Sequence, residues 1–495
     1  MMQAAIAERT MALPALLGSR AAAWPDVQVR GIQLDSRRVG PGDLFLALPG
    51  EAHDGRHFIE QAVARGAVAV VAEPPVAGFV EALHVPLLEQ AELAQAVGDI
   101  AARFYGDPSA DISVVGITGT NGKTTTSRLV AQLLRAAGRR CGVIGTLGAV
   151  LDDSAADAVN TTPDAVALQQ QLCAWRAQGV DAVAIEVSSH ALHQGRVQGV
   201  NFDVAVFTNL SRDHLDYHGS MQAYARSKQQ LFCSAGLRFA VVNADDPYSE
   251  LMLAALPEGV TAVTFSSTGQ PADVCATGVE FLAGGVRAQL QTPWGTAGLE
   301  VSLPGAFNLA NVLAALSCAV LLGGEFPAVL RAASSLSAVP GRMQSVPNDF
   351  GLQVVVDYAH TPDALEKALQ ALRPQVQGRL IVVFGCGGDR DPGKRPVMGR
   401  LASAAADQVV LTSDNPRGED PLAILREIER GCEGAVRVVV DRREAIAFAV
   451  REAQAGDCVL IAGKGHETYQ IVGSQRLPFS DVDAAVQALH ARASA

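Results

Sequence analysis

At 495 residues, with 49% hydrophobic and 18% charged side chains, the chain is too long for one ordinary core and too apolar to stay disordered. A formal net charge of −12 excludes a general nucleic-acid coat, which needs a basic face to release counterions, so an anionic ligand must be met by local cations. The eight cysteines, Cys141, Cys173, Cys233, Cys275, Cys318, Cys386, Cys432 and Cys458, form no C-x-x-C pair and no metal-ligand spacing, which predicts reduced thiols in a cytoplasmic protein.

Length predicts about three α/β domains, over residues 1–108, 109–338 and 339–495. The apolar run from Met11 to Gly18 follows Arg9, but Glu8 precedes it and Pro14 interrupts it, so a first helix of a folded domain is expected rather than a signal sequence. Next, GIQLDSRRVGPGDLFLALPG gives short strands around a Gly-Pro turn, LDSRRVGPGDLFLALPGEAHDGRHFI by itself reads as a β-hairpin, and AVARGAVAVVAEPP gives helix end, strand and stop.

The second domain alternates. Strands are expected at ISVVGITG, CGVIGTLG, VDAVAIEV, FDVAVFTNL and RFAVVNADDP, with helices at SRLVAQLLRAAG and around ALQQQLCAWRAQG, the pattern of a doubly wound parallel sheet. Leu303 to Gly324 carries no charge and could span a bilayer by length, but Pro304, Gly305, Asn308 and Asn311 near its start favour a helix buried in a core, so no stable membrane association is expected. LSAVPGRMQSVPNDFG marks a boundary. Beyond it the strands LQVVVDYAH, RLIVVFGCGG, DQVVLTSDNP, VRVVVD and DCVLIAGKG predict a third, Rossmann-like unit.

The strongest chemical signal is VVGITGTNGKTTT, a strand entering a glycine-rich turn and then a helix. That order aims backbone N–H groups and a helix N-terminus at phosphate oxygens, with Lys123 reaching the β/γ-phosphates and Thr124 able to ligate Mg²⁺. The loop departs from G-x-x-x-x-G-K-[ST] at Ile117; Gly116, Gly119 and Gly122 supply the freedom instead. Nucleotide binding follows, but motors, kinases and ligases share such loops. GCGGDRD fails the G-x-G-x-x-G test because Arg390 stands at the third glycine, which disfavours a dinucleotide site.

GTNGKTTT resembles the loop of the Mur ligase and folylpolyglutamate synthetase superfamily, and the likeness extends over almost the whole chain. The resemblance implies a UDP-binding α/β domain, a central P-loop ATPase domain and a C-terminal Rossmann-like domain that receives an amino acid. Around ATP it implies Gly119, Thr120, Asn121, Gly122, Lys123, Thr124, Thr125, Asn308 with Asn311 beside it, Arg342 and Asp357. For Mg²⁺ it implies Thr124, Glu186 and His214, joined by Lys228 as a carbamate (N6-carboxylysine). From residue type alone Glu186 reads as a surface ion-pair partner and Lys228 as an exposed helical lysine. For the sugar nucleotide and its peptide it implies Leu34, Ser36, Glu51, Ala52, His53, Asn160, Thr161, Thr162, Ser188, Gln194 and Arg196.

DNPRGEDP resembles the signature of the family's diaminopimelate-adding branch, implying Arg390, Asp414, Asn415, Pro416, Arg417, Gly463 and Glu467 around meso-diaminopimelate. The chemistry agrees: this amine differs from lysine by a remote carboxylate, which a guanidinium grips with two bonds. In isolation D-N-P-R reads as an Asx-Pro turn with a solvated arginine. The resemblance thus implies a monomeric, cytoplasmic ligase of peptidoglycan-precursor synthesis. It would join meso-diaminopimelate to UDP-N-acetylmuramoyl-L-alanyl-D-glutamate, spending ATP through an acyl phosphate. The alternatives are a lysine-adding synthetase and a folylpolyglutamate synthetase.

Overall fold

The computed structural model describes residues 9–18, 25–50, 53–79, 83–152, 154–156 as backbone, 160–282, 285–434 and 436–493. Three parallel-stranded sheets follow one another along the chain, each with its own apolar layers. In the first, strands Gly31–Gln33, Asp43–Ala47, Ala69–Ala72 and Leu87–Glu89 lie side by side in chain order, all parallel. The β-hairpin reading of 34–59 is therefore wrong: among its described residues that stretch holds one strand, Asp43–Ala47, and it pairs in parallel with Gly31–Gln33. Leu44, Phe45, Leu46 and Ala47 are all buried, so both faces of that strand must be covered, as parallel sheets require. Helix Leu93–Tyr105 covers one face and helix Ile59–Ala64 the other. The run from Met11 forms a two-residue strand and the short helix Leu13–Leu17, whose Leu13 and Leu16 enter this core.

The middle sheet has eleven strands. Its parallel centre places Ser113–Thr118 between Ala182–Glu186 and Val204–Phe207, with Cys141–Gly145 beyond the former and Phe239–Asn243 beyond the latter. Their apolar side chains alternate between two layers: Val115 and Ile117 meet helices Lys123–Ala136 and Ala306–Leu321, whereas Val114, Val183 and Ile185 meet Leu168, Leu172 and Trp175. The uncharged stretch near residue 310 is thus a core helix, and no helix among the described residues is long and apolar enough to cross a membrane.

A purely parallel sheet was too simple an expectation. Antiparallel pairing extends both ends, through Gly148–Leu151 and Ser154–Ala156 on one side and on the other through the meander Val274–Leu282, Gly285–Thr292 and Gly295–Val301, whose first strand joins Thr261–Ser266 in parallel. The physical reason is visible in the second meander strand, where Val286, Ala288 and Leu290 are buried while Arg287, Gln289 and Gln291 face water. One-sided alternation of this kind suits an antiparallel edge.

In the third sheet the order is Gln344–Ser345, Gln353–Asp357, Cys458–Ala462, Leu380–Phe384, Gln408–Leu411 and Val436–Val438, parallel except for the first. A separate hairpin, Tyr469–Val472 with Gln475–Pro478, docks beside it through Arg417 N–H to the Ile471 carbonyl and Gly473 N–H to the Arg417 carbonyl. In both of the larger sheets, the chain segments that carry polar side chains leave the carboxyl ends of parallel strands, where open α/β sheets bind ligands.

Candidate active site

The phosphate loop is held from beneath by Thr208 and Asn209, which leave the carboxyl end of strand Val204–Phe207. Gly119 has φ +150°, and a Cβ there would stand 1.9 Å from Thr208 Oγ1, so no side chain fits. Thr208 Oγ1 donates to the Asn121 carbonyl at 2.6 Å, and Asn209 Oδ1 accepts from Asn121 N–H at 3.0 Å. Beyond the loop opens a cavity of about 550 Å³, walled by Asn121, Gly122, Thr125 and Asn311 on one side and by Arg342, Asp357 and Tyr358 on the other. Phe265, Phe281 and Phe307 add an apolar, aromatic wall. The third sheet closes onto the loop: Arg342 Nη2 donates to Thr124 Oγ1 at 3.1 Å, and Asn121 Nδ2 to Asp363 Oδ2 at 2.7 Å. Thr361 caps the helix carrying Asp363, with Pro362 in its first turn, so local sequence fixes that contact.

Two expected nucleotide residues sit differently. Lys123 folds back, donating to the Gly119 and Thr120 carbonyls at 2.8 and 2.9 Å, so reaching a phosphate requires a new rotamer. Asn308 stands behind the cavity wall, donating to the Pro304 carbonyl at 2.8 Å, as a residue that fixes the helix start does. Asn311 Oδ1 accepts from Thr126 Oγ1 at 3.1 Å and reaches the cavity.

Glu186 and Lys228 contradict their plain residue-type readings, since both are 1% exposed. Glu186 Oε2 accepts from Thr124 Oγ1 at 2.8 Å and Thr146 Oγ1 at 3.0 Å, while Oε1 accepts from Thr146 N–H at 2.9 Å. Lys228 Nζ donates to the Gly119 carbonyl at 2.9 Å and lies 4.4 Å over the Tyr224 ring. Burial, reinforced by nearby Lys123, holds its amine well below the ordinary lysine range. Burial likewise lowers Lys123 and brings His214 down to about 3. Among the described residues no three His, Cys, Asp or Glu side chains converge as a ready-made metal cage. A hydroxyl and a carboxylate already sharing a point fit Mg²⁺, which takes oxygen ligands, few of them from protein.

Next to this corner runs a polar strip. Thr162 Oγ1 donates to the Glu186 carbonyl at 2.7 Å and accepts from Ser188 N–H at 3.2 Å; Arg196 Nη1 donates to the Thr162 carbonyl at 3.2 Å, and its Nη2 bonds Gln194. Asn160 and Thr161 continue it into a second cavity of about 610 Å³. From the third sheet that cavity receives Arg390, Asp414, Asn415, Arg417, Gly463 and Glu467. Pro416 lies in the same loop but not in the wall. Arg417 has φ +51° and Nη1 donates to the Gly388 carbonyl at 2.9 Å, so it is half-buried and anchored rather than solvated. Tyr358 and His360 line both cavities, which makes them neighbours across one wall.

Among the expected sugar-nucleotide residues, Leu34 and Ser36 follow strand Gly31–Gln33 and His53 follows Asp43–Ala47. Ser36 is buried, its Oγ donating to Gln61 Oε1 at 2.6 Å, whereas His53 is exposed. None of the three lines either cavity. Glu51 and Ala52 lie outside the described residues.

Three family descriptions tile the chain: Mur ligase family, catalytic domain, over residues 28–105; Mur ligase middle domain over 117–319; and Mur ligase, glutamate ligase domain, over 341–465. The chain belongs to the Mur ligase family. A protein of Coxiella burnetii named UDP-N-acetylmuramoyl-L-alanyl-D-glutamate--2,6-diaminopimelate ligase is 50% identical over 470 residues, 94% of this chain and 96% of that one. Its namesake in Pseudomonas aeruginosa is 48% identical over 468 residues, again 94% and 96%. A solved structure of the same description aligns with TM-score 0.72 at 39% identity, covering 98% of this chain and 99% of that one. The folylpolyglutamate synthase of Mycobacterium tuberculosis with ADP shares the fold at 22% identity and TM-score 0.65, covering 80% and 94%.

Within this Mur ligase, several wall residues escape sequence reasoning. Tyr358 and His360 stand in VVDYAHTPD, where the resemblance marks only Asp357, and His466 stands in GKGHE beside Gly463 and Glu467. Arg476 enters from the hairpin, its guanidinium 3.6 Å over the Tyr469 ring. No local signal marks it, because only the hairpin's docking brings it to the cavity.

Proposed function

We propose that this Mur ligase adds meso-diaminopimelate to UDP-N-acetylmuramoyl-L-alanyl-D-glutamate, forming ADP and phosphate in the cytoplasmic synthesis of peptidoglycan precursor. The reading rests on the second cavity, where one space of about 610 Å³ is walled by Asn160, Thr161 and His214 from the middle sheet and by Arg390, Arg417, Asp414 and Glu467 from the third. Cations and carboxylates face each other there. That pattern suits an amino acid whose far end carries both a carboxylate and an ammonium, and Arg417 opposes lysine, which would leave a half-buried guanidinium without an anion.

In the proposed chemistry the D-glutamate carboxylate attacks the ATP γ-phosphorus, releasing ADP and leaving an acyl phosphate. The free amine of diaminopimelate then attacks the acyl carbon, and phosphate departs with the C–O bond. Lys123 swings from its loop carbonyls to the phosphates, where it stabilises charge as the P–O bond breaks. Thr124, Glu186, His214 and Lys228 as its carbamate would hold Mg²⁺, which when bound supplies charge neutralisation on the phosphates. Arg342 and Asp357 come from the third sheet to the nucleotide cavity, so domain closure and ATP binding support each other. Leu34, Ser36 and His53 would meet the uridine nucleotide, and Asn160, Thr161, Thr162, Ser188, Gln194 and Arg196 the muramoyl dipeptide. We also place domain divisions after residues 108 and 338 and read the enzyme as a monomer. Its eight cysteines are all unpaired, which supports a reducing compartment.

The test supplies ATP, magnesium, the nucleotide dipeptide and an equimolar mixture of lysine and meso-diaminopimelate, then weighs the product. Extension by diaminopimelate, with ADP formed only when all reactants are present, is expected. Extension by lysine, or ATP turnover without a new amide, would refute the assignment.

A further inference from the structure

Lysine is seldom buried unless its ammonium is paired, yet Lys464 is 0% exposed, deeper than any of the residues around it that face the second cavity. Its Nζ donates to Glu467 Oε2 at 2.7 Å and to Asn415 Oδ1 at 3.0 Å, and stands 3.7 Å from Asp414 Oδ1. Asn415 Nδ2 donates to the same Glu467 Oε2 at 3.0 Å, closing a triangle. Asn415 Oδ1 also accepts from Ile471 N–H at 2.9 Å, so the amide is gripped on both sides and cannot flip. Every partner of Lys464 is thus a wall residue of the proposed amine site. The backbone is built for this inward turn: Gly463 has φ +120°, and a Cβ there would stand 2.8 Å from Asp414 Oδ2.

We propose that Lys464 is the positioning residue of the amine site, fixing Glu467 and Asn415 in one geometry and setting the local charge to receive a single ammonium. Within this hydrogen-bonded cluster Asp414 and Glu467 bring two negative charges and Lys464 one positive, so the cluster keeps one negative charge for an incoming –NH₃⁺, while the Arg417 guanidinium beside it is left for the substrate's carboxylate. The neighbouring Arg442 also faces Asp414 and Glu467, but its charge is matched first by Asp481, with bonds of 2.7 and 2.8 Å. Without Lys464, Glu467 and Asn415 would lose the shared donor that fixes their orientation, and Asp414 its nearby cation. Lys464 itself touches no substrate. The inference rests on the amine-site reading above.

The test is a double-mutant cycle on purified full-length enzyme, with Lys464→Met, Glu467→Gln and the pair. Lys464→Met should raise KM for meso-diaminopimelate by about tenfold to a hundredfold, the scale of a lost charge-assisted hydrogen bond in a secluded site, with KM for ATP and for the nucleotide dipeptide within about twofold. Because the effect runs through Glu467, adding Lys464→Met to Glu467→Gln should cost less than about threefold more. Should Lys464→Met not fold, Lys464→Arg keeps the charge but displaces Glu467, and the same selective rise in KM for the amine is expected. Equal rises in KM for all three substrates, or full additivity in the cycle, would overturn the assignment and make Lys464 merely structural. A wild-type enzyme that extends the peptide with lysine would overturn the amine reading alone, and the cycle would then be read through KM for lysine.

Discussion

Replacing Arg417 with alanine is the sharpest probe of amine choice. Its Nη1 is engaged by the Gly388 and Asn415 carbonyls, at 2.9 and 3.5 Å, so the Nε–Nη2 edge is the one presented to a carboxylate. Two parallel charge-assisted bonds at a half-buried site contribute about 3 kcal/mol after discounting for solvent, and about 1.4 kcal/mol is a factor of ten. Arg417→Ala should therefore lower kcat/KM for meso-diaminopimelate about a hundredfold. Arg417→Lys, which keeps the charge and loses the fork, should lower it about tenfold. Alanine meets the same positive φ as arginine, so the melting temperature should hardly change. Kinetics are measured with each amine separately, and product masses are read from mixtures of lysine and diaminopimelate. Selectivity should fall with kcat/KM, because lysine loses nothing when the guanidinium goes. A change under twofold with diaminopimelate would refute the reasoning.

Other outcomes follow from the same geometry. Lys228→Ala should cripple turnover and be partly restored by small carboxylic acids, while intact-mass analysis of the native chain should find one added CO₂ that the variant lacks; full activity without rescue would remove Lys228 from the site. Arg442 and Asp481 are both 0% exposed and pair at 2.7 Å, so Arg442→Ala should destabilise the third domain by about 3–5 kcal/mol in denaturant unfolding, through the carboxylate left buried alone. Stability should fall as pH drops from about 6.5 toward 4: burial lowers His214 and His466 to about 3 and His218 to about 4, so the unfolded chain binds protons that the native state refuses. A melting temperature flat across that window would contradict these shifts, and His466→Gln should flatten the slope.

The strands of the middle and third sheets were legible because parallel strands buried on both faces must be continuous apolar runs, and Ser113–Thr118, Leu380–Phe384 and Cys458–Ala462 are such runs. The phosphate loop was legible because its chemistry is local: glycines, lysine and threonine are consecutive, between a strand and a helix. Less visible was the meander from Val274 to Val301, whose apolar residues alternate and carry a weaker signal, and the parallel pairing of Gly31 with Asp43, which depends on burial of the second strand on both faces.

By itself the sequence determined the apolar strands at the centres of the parallel sheets and the glycine-rich loop between a strand and a helix, and its likeness to a family singled out polar residues that line both cavities. Tertiary structure alone decided that Glu186 and Lys228 are buried, that Lys464 turns inward beneath Glu467, and that Arg476 reaches the same cavity as Asn160, more than 300 residues away in the chain. Spacing within one element is fixed by the short-range geometry of the backbone. Burial and charge pairing depend on which sheet edges face each other, and only the packed molecule brings those edges together.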